Sequence, residues 1–354
     1  MKTLEGRNSL ARAAWVKERK TTGPKAISLS PEKLIKTSHL ASGDTLPLVI
    51  QPNIGSLDLP AWAQNNQEFI ESNLLKYGGL LFRGFDVSSH VEFDQFLKSI
   101  PVELMHYMEG ATPRVELSEK IYSSTEFPPN QTIALHNELN YVTTWPMKIW
   151  FFCVQAAEQG GATPIGDVRK VFQRLSPKLR ERFIEKGWML VRNFGDGVGL
   201  PWQTSFRITD KAVLEAYCRK SEIECEWKGV EHLKTRQTRP AVAKHPKTGE
   251  MVWFNHTAFW HMSSLEPSLR EVLLHEFGED GLPYNTYYGD GSKIEDSEVE
   301  ELREAYRQET IAFPWEAGDI LMLDNMLTAH GRSPYSGERT ILAAMGQPCS
   351  DRGI

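Results

Sequence analysis

The sequence predicts a mainly β fold (α+β) with helical insertions on an antiparallel β-core, for which a jelly-roll barrel is one architecture. Three observations predict it. Strand-like runs rich in β-branched and aromatic residues frame the chain, from "LLFRGF" at 80–85 to "SGERTILAAM" at 336–345. Helical runs interrupt them without regular alternation, which argues against a doubly wound parallel sheet. No fixed-period repeat and no low-complexity segment is visible, which leaves an antiparallel β-core, of which a jelly roll is one form.

The elements follow in order. Apolar spacing predicts a helix over Leu59–Tyr77, stopped by Gly78 and Gly79. "SSHVEFDQFLKSI" (88–100) returns to helical spacing, with Ser88 or Ser89 as its cap. Residues 107–131 mix Gly, Pro, Ser and charge and read as a long loop, a lid over a site. "TIALHNELNY" (132–141) and "MKIWFFCVQAA" (147–157) read as strands. A helix follows Ser176 and Pro177 and exits at Gly187, and another spans Lys211–Lys220. "RPAVAKHPKTGEMVWFNH" (239–256) reads as a hairpin. Ser297 and Glu300 stand at capping-box spacing ahead of a further helix. The segment 310–332 then gives a strand, a turn at Gly318 and Asp319, and another strand.

The chain has 354 residues, 40% hydrophobic and 24% charged, enough for a substantial core in a soluble protein. A net charge of −6 argues against a general nucleic-acid binder, and no apolar run approaches bilayer length, so no membrane partner is expected. The four scattered cysteines form no CxxC pair and read as reduced thiols of a cytoplasmic protein. Residues 1–30 read as a basic, mobile tail without the apolar core of a secretory signal, and 31–354 as a single domain.

The chemistry concentrates in two places. In "IALHNELNY" a strand would put His136 and Glu138 on one face, two residues apart. A buried carboxylate is costly unless paired or bound to a metal, yet an H-x-E pair alone is more often structural. "LDNMLTAHGR" adds His330 after a core strand. Two histidines and one carboxylate leave one face of an octahedral metal open, the donor set of non-haem iron(II) oxygenases. A closed zinc site would want a fourth ligand. Arg339 shares a strand face with Ile341, Ala343 and Met345, a lone cation that calls for an anion.

The ordered set "HNE", "GGATPIGD", "GDILMLDNMLTAHGR" and "GERTILAAM" resembles the taurine dioxygenase and clavaminate synthase-like family, iron(II)- and 2-oxoglutarate-dependent oxygenases, which implies a double-stranded β-helix (jelly-roll) core. The resemblance runs from Gly78 to Met345. It implies His136, Glu138 and His330 as iron ligands. It implies Thr163, 27 residues after His136, and Arg339 as holders of the distal 2-oxoglutarate carboxylate. It implies a reaction consuming O2 and 2-oxoglutarate, releasing succinate and CO2, and oxidising an unactivated C–H bond. Where taurine dioxygenase carries a second, sulfonate-binding arginine, this chain has Ala343, so a sulfonate substrate is not expected. The likeness is closest to hydroxylases of nonribosomal-peptide and antibiotic biosynthesis, which act on an amino acid, free or tethered to a carrier protein.

Substrate-side candidates are Asn140, Tyr141, Trp202, Arg207, Asn255 and Arg332. Ordinary packing is the commoner fate of such residues. The Gly-rich stretch Val191–Trp202 reads as a cover for the site mouth. His256 competes with His330 as third ligand, but only His330 is followed by a strand with a lone arginine. Two rivals remain at this level: a barrel iron oxygenase that uses no 2-oxoglutarate, and a non-catalytic barrel that binds metal or a small acid.

Overall fold

The computed structural model describes residues 31–354 apart from 42, 44, 108, 110–114, 125–126, 196, 230, 351 and 354. The basic tail expected over 1–30 lies outside the described residues.

Two sheets form the expected jelly roll. The larger has eight strands in the order Ile35–Ser38, Leu48–Pro52, Gly79–Phe82, Ile320–Asp324, Trp145–Gln155, Thr340–Cys349, Ile121–Ser123, Glu116–Ser118. Its neighbours pair antiparallel except Leu48–Pro52 with Gly79–Phe82. The smaller runs Thr310–Ile311, Ile165–Asp167, Thr328–Arg332, Ile133–His136.

Side-chain alternation explains why the large sheet is apolar on both faces. Ile149, Phe151, Leu321, Leu323, Ile341 and Ala343 enter the core shared with Ile165 and Ala329 of the small sheet. The intervening Trp150, Phe152, Ile320, Met322, Leu342 and Ala344 pack on the opposite side with residues of the N-terminal helices. There Phe93 stacks on Phe152 with ring centroids 5.1 Å apart.

Between the small sheet's second and first strands lies an insertion. A third sheet, in the order Glu224–Lys228, His232–Arg239, Trp188–Phe194, Tyr284–Tyr288, carries its own apolar cluster with Phe206, Leu214 and Leu233. The short helix Thr257–Trp260 touches both this sheet and the Ile133–His136 strand. It brings the insertion to the jelly roll's mouth. No helix among the described residues is long and apolar enough to cross a membrane.

Local chemistry redraws several expected boundaries. The 59–77 helix is two, Leu59–Asn65 and Gln67–Tyr77, because Asn66 leaves helical geometry at φ −128°. Ser89 rather than Ser88 caps the next helix, in a capping box with Glu92. The helix Asp296–Glu309 begins earlier than expected, since Glu295 and Glu298 form the box and Ser297 lies inside. Within 107–131, Glu116–Ser118 and Ile121–Ser123 form a hairpin on the edge of the large sheet.

Candidate active site

The strand expected over 132–141 ends at His136, and Glu138 sits in the turn after it. The two side chains therefore do not converge by strand alternation. Leu139 takes a left-handed φ of 56°, rare for a branched residue, and the chain reverses there. Asn325 holds the turn. Its Oδ1 accepts the Glu138 N–H at 2.7 Å, and its Nδ2 donates to the Glu138 and Pro146 carbonyls at 2.8 Å each. The Asn137 amide donates back to the Asn325 carbonyl at 2.7 Å. A buried amide so engaged replaces the missing strand ladder.

His330 stands opposite His136 in the antiparallel register of Thr328–Arg332 with Ile133–His136, ring centroids 4.5 Å apart. The register slips just after His330. Gly331 permits that close approach, because a Cβ there would lie 2.5 Å from the Ile133 carbonyl oxygen.

One nitrogen, nitrogen and oxygen from His136, Glu138 and His330 lie within 4.8 Å of one another. His330 Nε2 is 3.7 Å from Glu138 Oε2. His136 Nδ1 donates to the Ala134 carbonyl at 2.9 Å, which in the neutral ring puts the acceptor lone pair on Nε2. This donor set fits an octahedral divalent iron with an open face.

One cavity joins His136 and His330 to Arg339, Thr163 and Ser124, with Phe151, Ile341 and Ala343 along its apolar side. Arg339 Nε donates to the Gly161 carbonyl at 2.9 Å, and its Nη2 lies 3.4 Å from Thr163 Oγ1. Gly161 makes room for it, since a Cβ there would lie 3.1 Å from Arg339 Cδ. Among the described residues no carboxylate reaches ion-pair distance of Arg339. Burial, then the neighbouring Arg332 charge, pulls its pKa down to about 10. A bound anion would relieve both effects.

Trp315 Nε1 donates to Thr163 Oγ1 at 3.1 Å, a partner that the sequence did not announce. With the indole and Arg339 occupying both lone pairs, the Thr163 hydroxyl has its proton left to donate.

The other candidates have definite places. Arg332 lines the cavity but its guanidinium donates to the carbonyls of Phe127, Pro128 and Gln131, so it braces that loop. Asn140 is fully buried and accepts a hydrogen bond from His256 Nδ1. Tyr141 donates its hydroxyl to the Glu109 carbonyl at 2.8 Å, and its ring lies 4.7 Å from Trp260. Trp202 belongs to the insertion's apolar cluster, against Trp227. Arg207 is exposed beside Glu116 and Tyr122. The Asn255 side chain spans the Ala241 carbonyl and the Thr257 N–H. His256 lies 5.5 Å from His136, ring to ring, outside the donor cluster, and burial drives its pKa well below the usual imidazole value.

Comparison with known proteins agrees with this geometry. Residues 43–345 match the family described as Taurine catabolism dioxygenase TauD, TfdA family. The chain is 38% identical over 279 residues to the dapdiamide synthesis protein DdaC of Enterobacter agglomerans, covering 79% of this chain and 85% of that one. It is 27% identical over 321 residues to a clavaminate synthase-like protein of Arabidopsis thaliana, covering 84% and 93%. The fold matches that of the PvcB protein from Pseudomonas aeruginosa, with a TM-score of 0.53 and 17% identity over 91% of this chain and 93% of that one. It also matches a taurine dioxygenase from Burkholderia xenovorans, with a TM-score of 0.51 and 18% identity over 89% and 90%.

Proposed function

This chain belongs to the taurine catabolism dioxygenase TauD, TfdA family and is an iron(II)- and 2-oxoglutarate-dependent dioxygenase; from that premise we propose that it hydroxylates an unactivated C–H bond of an amino acid or amino-acid-derived natural-product intermediate. The observation that carries the reading is the single cavity that runs from His136 and His330 to an arginine without an acidic partner among the described residues. An oxygenase that needs no 2-oxoglutarate has no use for that cation.

His136, Glu138 and His330 would hold the iron. When bound, iron(II) couples oxidative decarboxylation of 2-oxoglutarate, which gives succinate and CO2, to oxidation of the substrate by dioxygen. The chain's own part is positioning. Arg339 and the Thr163 hydroxyl receive the distal carboxylate, one as a cation and one as a neutral donor. Phe151, Ile341 and Ala343 exclude water along the apolar side. Asn325 fixes the backbone of Glu138, so the carboxylate needs little reorganisation to bind metal.

Ala343 supplies no charge where a sulfonate would need one. The relative named for dapdiamide synthesis supports a biosynthetic amino-acid substrate over taurine. The substrate is free or carried on a carrier protein, and the enzyme works in the cytoplasm. Anaerobic addition of iron(II) and 2-oxoglutarate should give a weak visible charge-transfer band. In air, mass spectrometry should then detect succinate stoichiometric with oxidised product when candidate amino acids or their carrier thioesters are offered. Absence of the band would refute use of 2-oxoglutarate.

A further inference from the structure

The insertion holds a second arginine with no acidic partner among the described residues. Arg192 lies in the strand Trp188–Phe194, at the start of the Gly-rich stretch that the sequence marks as a cover. Three aromatic rings surround its guanidinium, with centroids at 4.7 Å for Phe194 and 5.9 Å for Phe206 and for Trp260. Among the described residues its hydrogen bonding consists of one contact, Nη2 to Ser205 Oγ at 2.7 Å. No carboxylate among them reaches ion-pair distance. The acid whose field reaches it, Glu109, already accepts the Tyr217 hydroxyl; burial raises its pKa, against the pull of Tyr217, Arg192 and Arg239.

A guanidinium carries five N–H donors and cannot discharge itself at neutral pH. Enclosing one among aromatic rings with one neutral acceptor is costly unless a ligand completes it. The cation–π contacts keep the plane in place and leave its edge to a fork-shaped anion.

Its position relative to the iron donors is the second observation. Trp260, beside Arg192, lies 4.6 Å from His256, and His256 lies 5.5 Å from His136, centroid to centroid. Tyr141 packs on both Trp260 and His256 at 4.7 and 5.2 Å. One continuous chain of buried ring contacts therefore links His136 to Arg192. Along it the Asn140 Nδ2 is buried with no hydrogen-bond partner among the described residues.

We infer that Arg192 is the specificity-determining residue that binds a carboxylate of the substrate, several bonds away from the carbon to be oxidised. This rests on the amino-acid reading above and narrows it. The substrate's acid end meets Arg192 and its reactive end lies over the iron, with the Trp260–His256–Tyr141 rings packed between the two ends. Arg192 takes the role that Ala343 cannot, from another element and another side of the pocket.

The test separates this proposal from the broader reading. Enzyme loaded with iron(II) and saturating 2-oxoglutarate, kept anaerobic so that Arg339 is occupied, is titrated with N-acetylglycine and with N-acetylglycinamide. Tryptophan fluorescence is the readout, Trp260 being beside the guanidinium. The acid should bind at least roughly tenfold more tightly than the amide, as a charge-assisted pair predicts. R192M should abolish the preference and R192K should restore part of it, while the affinity for 2-oxoglutarate stays as in the wild type. Equal binding of the two probes by the wild type, or a preference that survives R192M, overturns the proposal. A parallel succinate assay with free amino acids and their amides tests the amino-acid reading itself. If none supports turnover yet the acid preference depends on Arg192, the reading fails and the anion site stands.

Discussion

At the inner end of the pocket, His136 and His330 face each other across one antiparallel register, and Arg339 stands just before the strand Thr340–Cys349, which carries Ile341 and Ala343 and shifts register between Thr340 and Ile341. At the outer wall, Arg192, His256 and Trp260 come from an insertion of different topology, joined to the jelly roll through the short helix Thr257–Trp260. The iron donors at the inner end are over-determined: each sits on a ladder or in the turn that Asn325 clamps. At the outer wall Arg192 also sits on a ladder, in a strand paired on both sides, while His256 and Trp260 are held by the short helix, ring contacts and the His256–Asn140 hydrogen bond. Strand register can fix the chemistry common to a family, while an inserted element can change the substrate without disturbing it.

The sharpest break between the two ends comes from the iron donors. E138A should reduce coupled succinate and product formation to background, and should lower the iron retained after gel filtration. Retained coupled turnover would remove Glu138 from the ligand set. Next in size is R339Q. Breaking a charged pair with the co-substrate on one side costs roughly 3–5 kcal/mol when fully buried, and Arg339 is half-buried. The 2-oxoglutarate concentration for half-maximal rate should therefore rise by about two orders of magnitude. A substrate-side role for Arg339 would instead leave that value alone and raise the substrate requirement.

A third substitution probes the clamp. N325A removes the acceptor for the Glu138 N–H and the donor to two carbonyls, yet touches no donor atom of the triad. Groups that orient a metal ligand typically contribute about 10–100-fold in metal affinity. The expected outcome is iron binding weakened within that range, with the rate at saturating iron reduced less than in E138A. An unchanged iron affinity would show that the turn holds itself.

The contrast also explains what the sequence disclosed. His136, Glu138, His330 and Arg339 stood out in the sequence because charged or metal-binding side chains in or beside apolar runs conflict with packing, and such conflicts mark function; the structure brings the first three together. The reason given for the first pair was wrong in detail: the strand stops at His136, and Leu139 reverses the chain. Asn325 and Trp315 were illegible because their roles depend on partners 187 and 152 residues away. Arg192 was hidden in a stretch that reads as a glycine-rich loop, and its meaning needs the rings of Phe206 and Trp260, which only folding supplies. The extra helix break at Asn66 and the shifted cap at Glu295 are ordinary boundary effects, set by local side-chain hydrogen bonds.

The smallest expected effect is the most discriminating about how the inner end works. Trp315 donates to Thr163 Oγ1 and thereby decides which way the hydroxyl proton points. W315F keeps the aromatic packing but drops that donor. The threonine proton is then free to rotate, and the neutral half of the carboxylate clamp weakens by about one net hydrogen bond, so 2-oxoglutarate affinity should fall about two- to tenfold. If the indole acts only through the hydroxyl, W315F should add nothing in a T163V background, where the hydroxyl is gone. A double-mutant cycle read by anaerobic titration of the charge-transfer band measures that coupling directly. Full additivity of the two changes would mean that Trp315 shapes the pocket by packing, and the proton on Thr163 would then need another explanation.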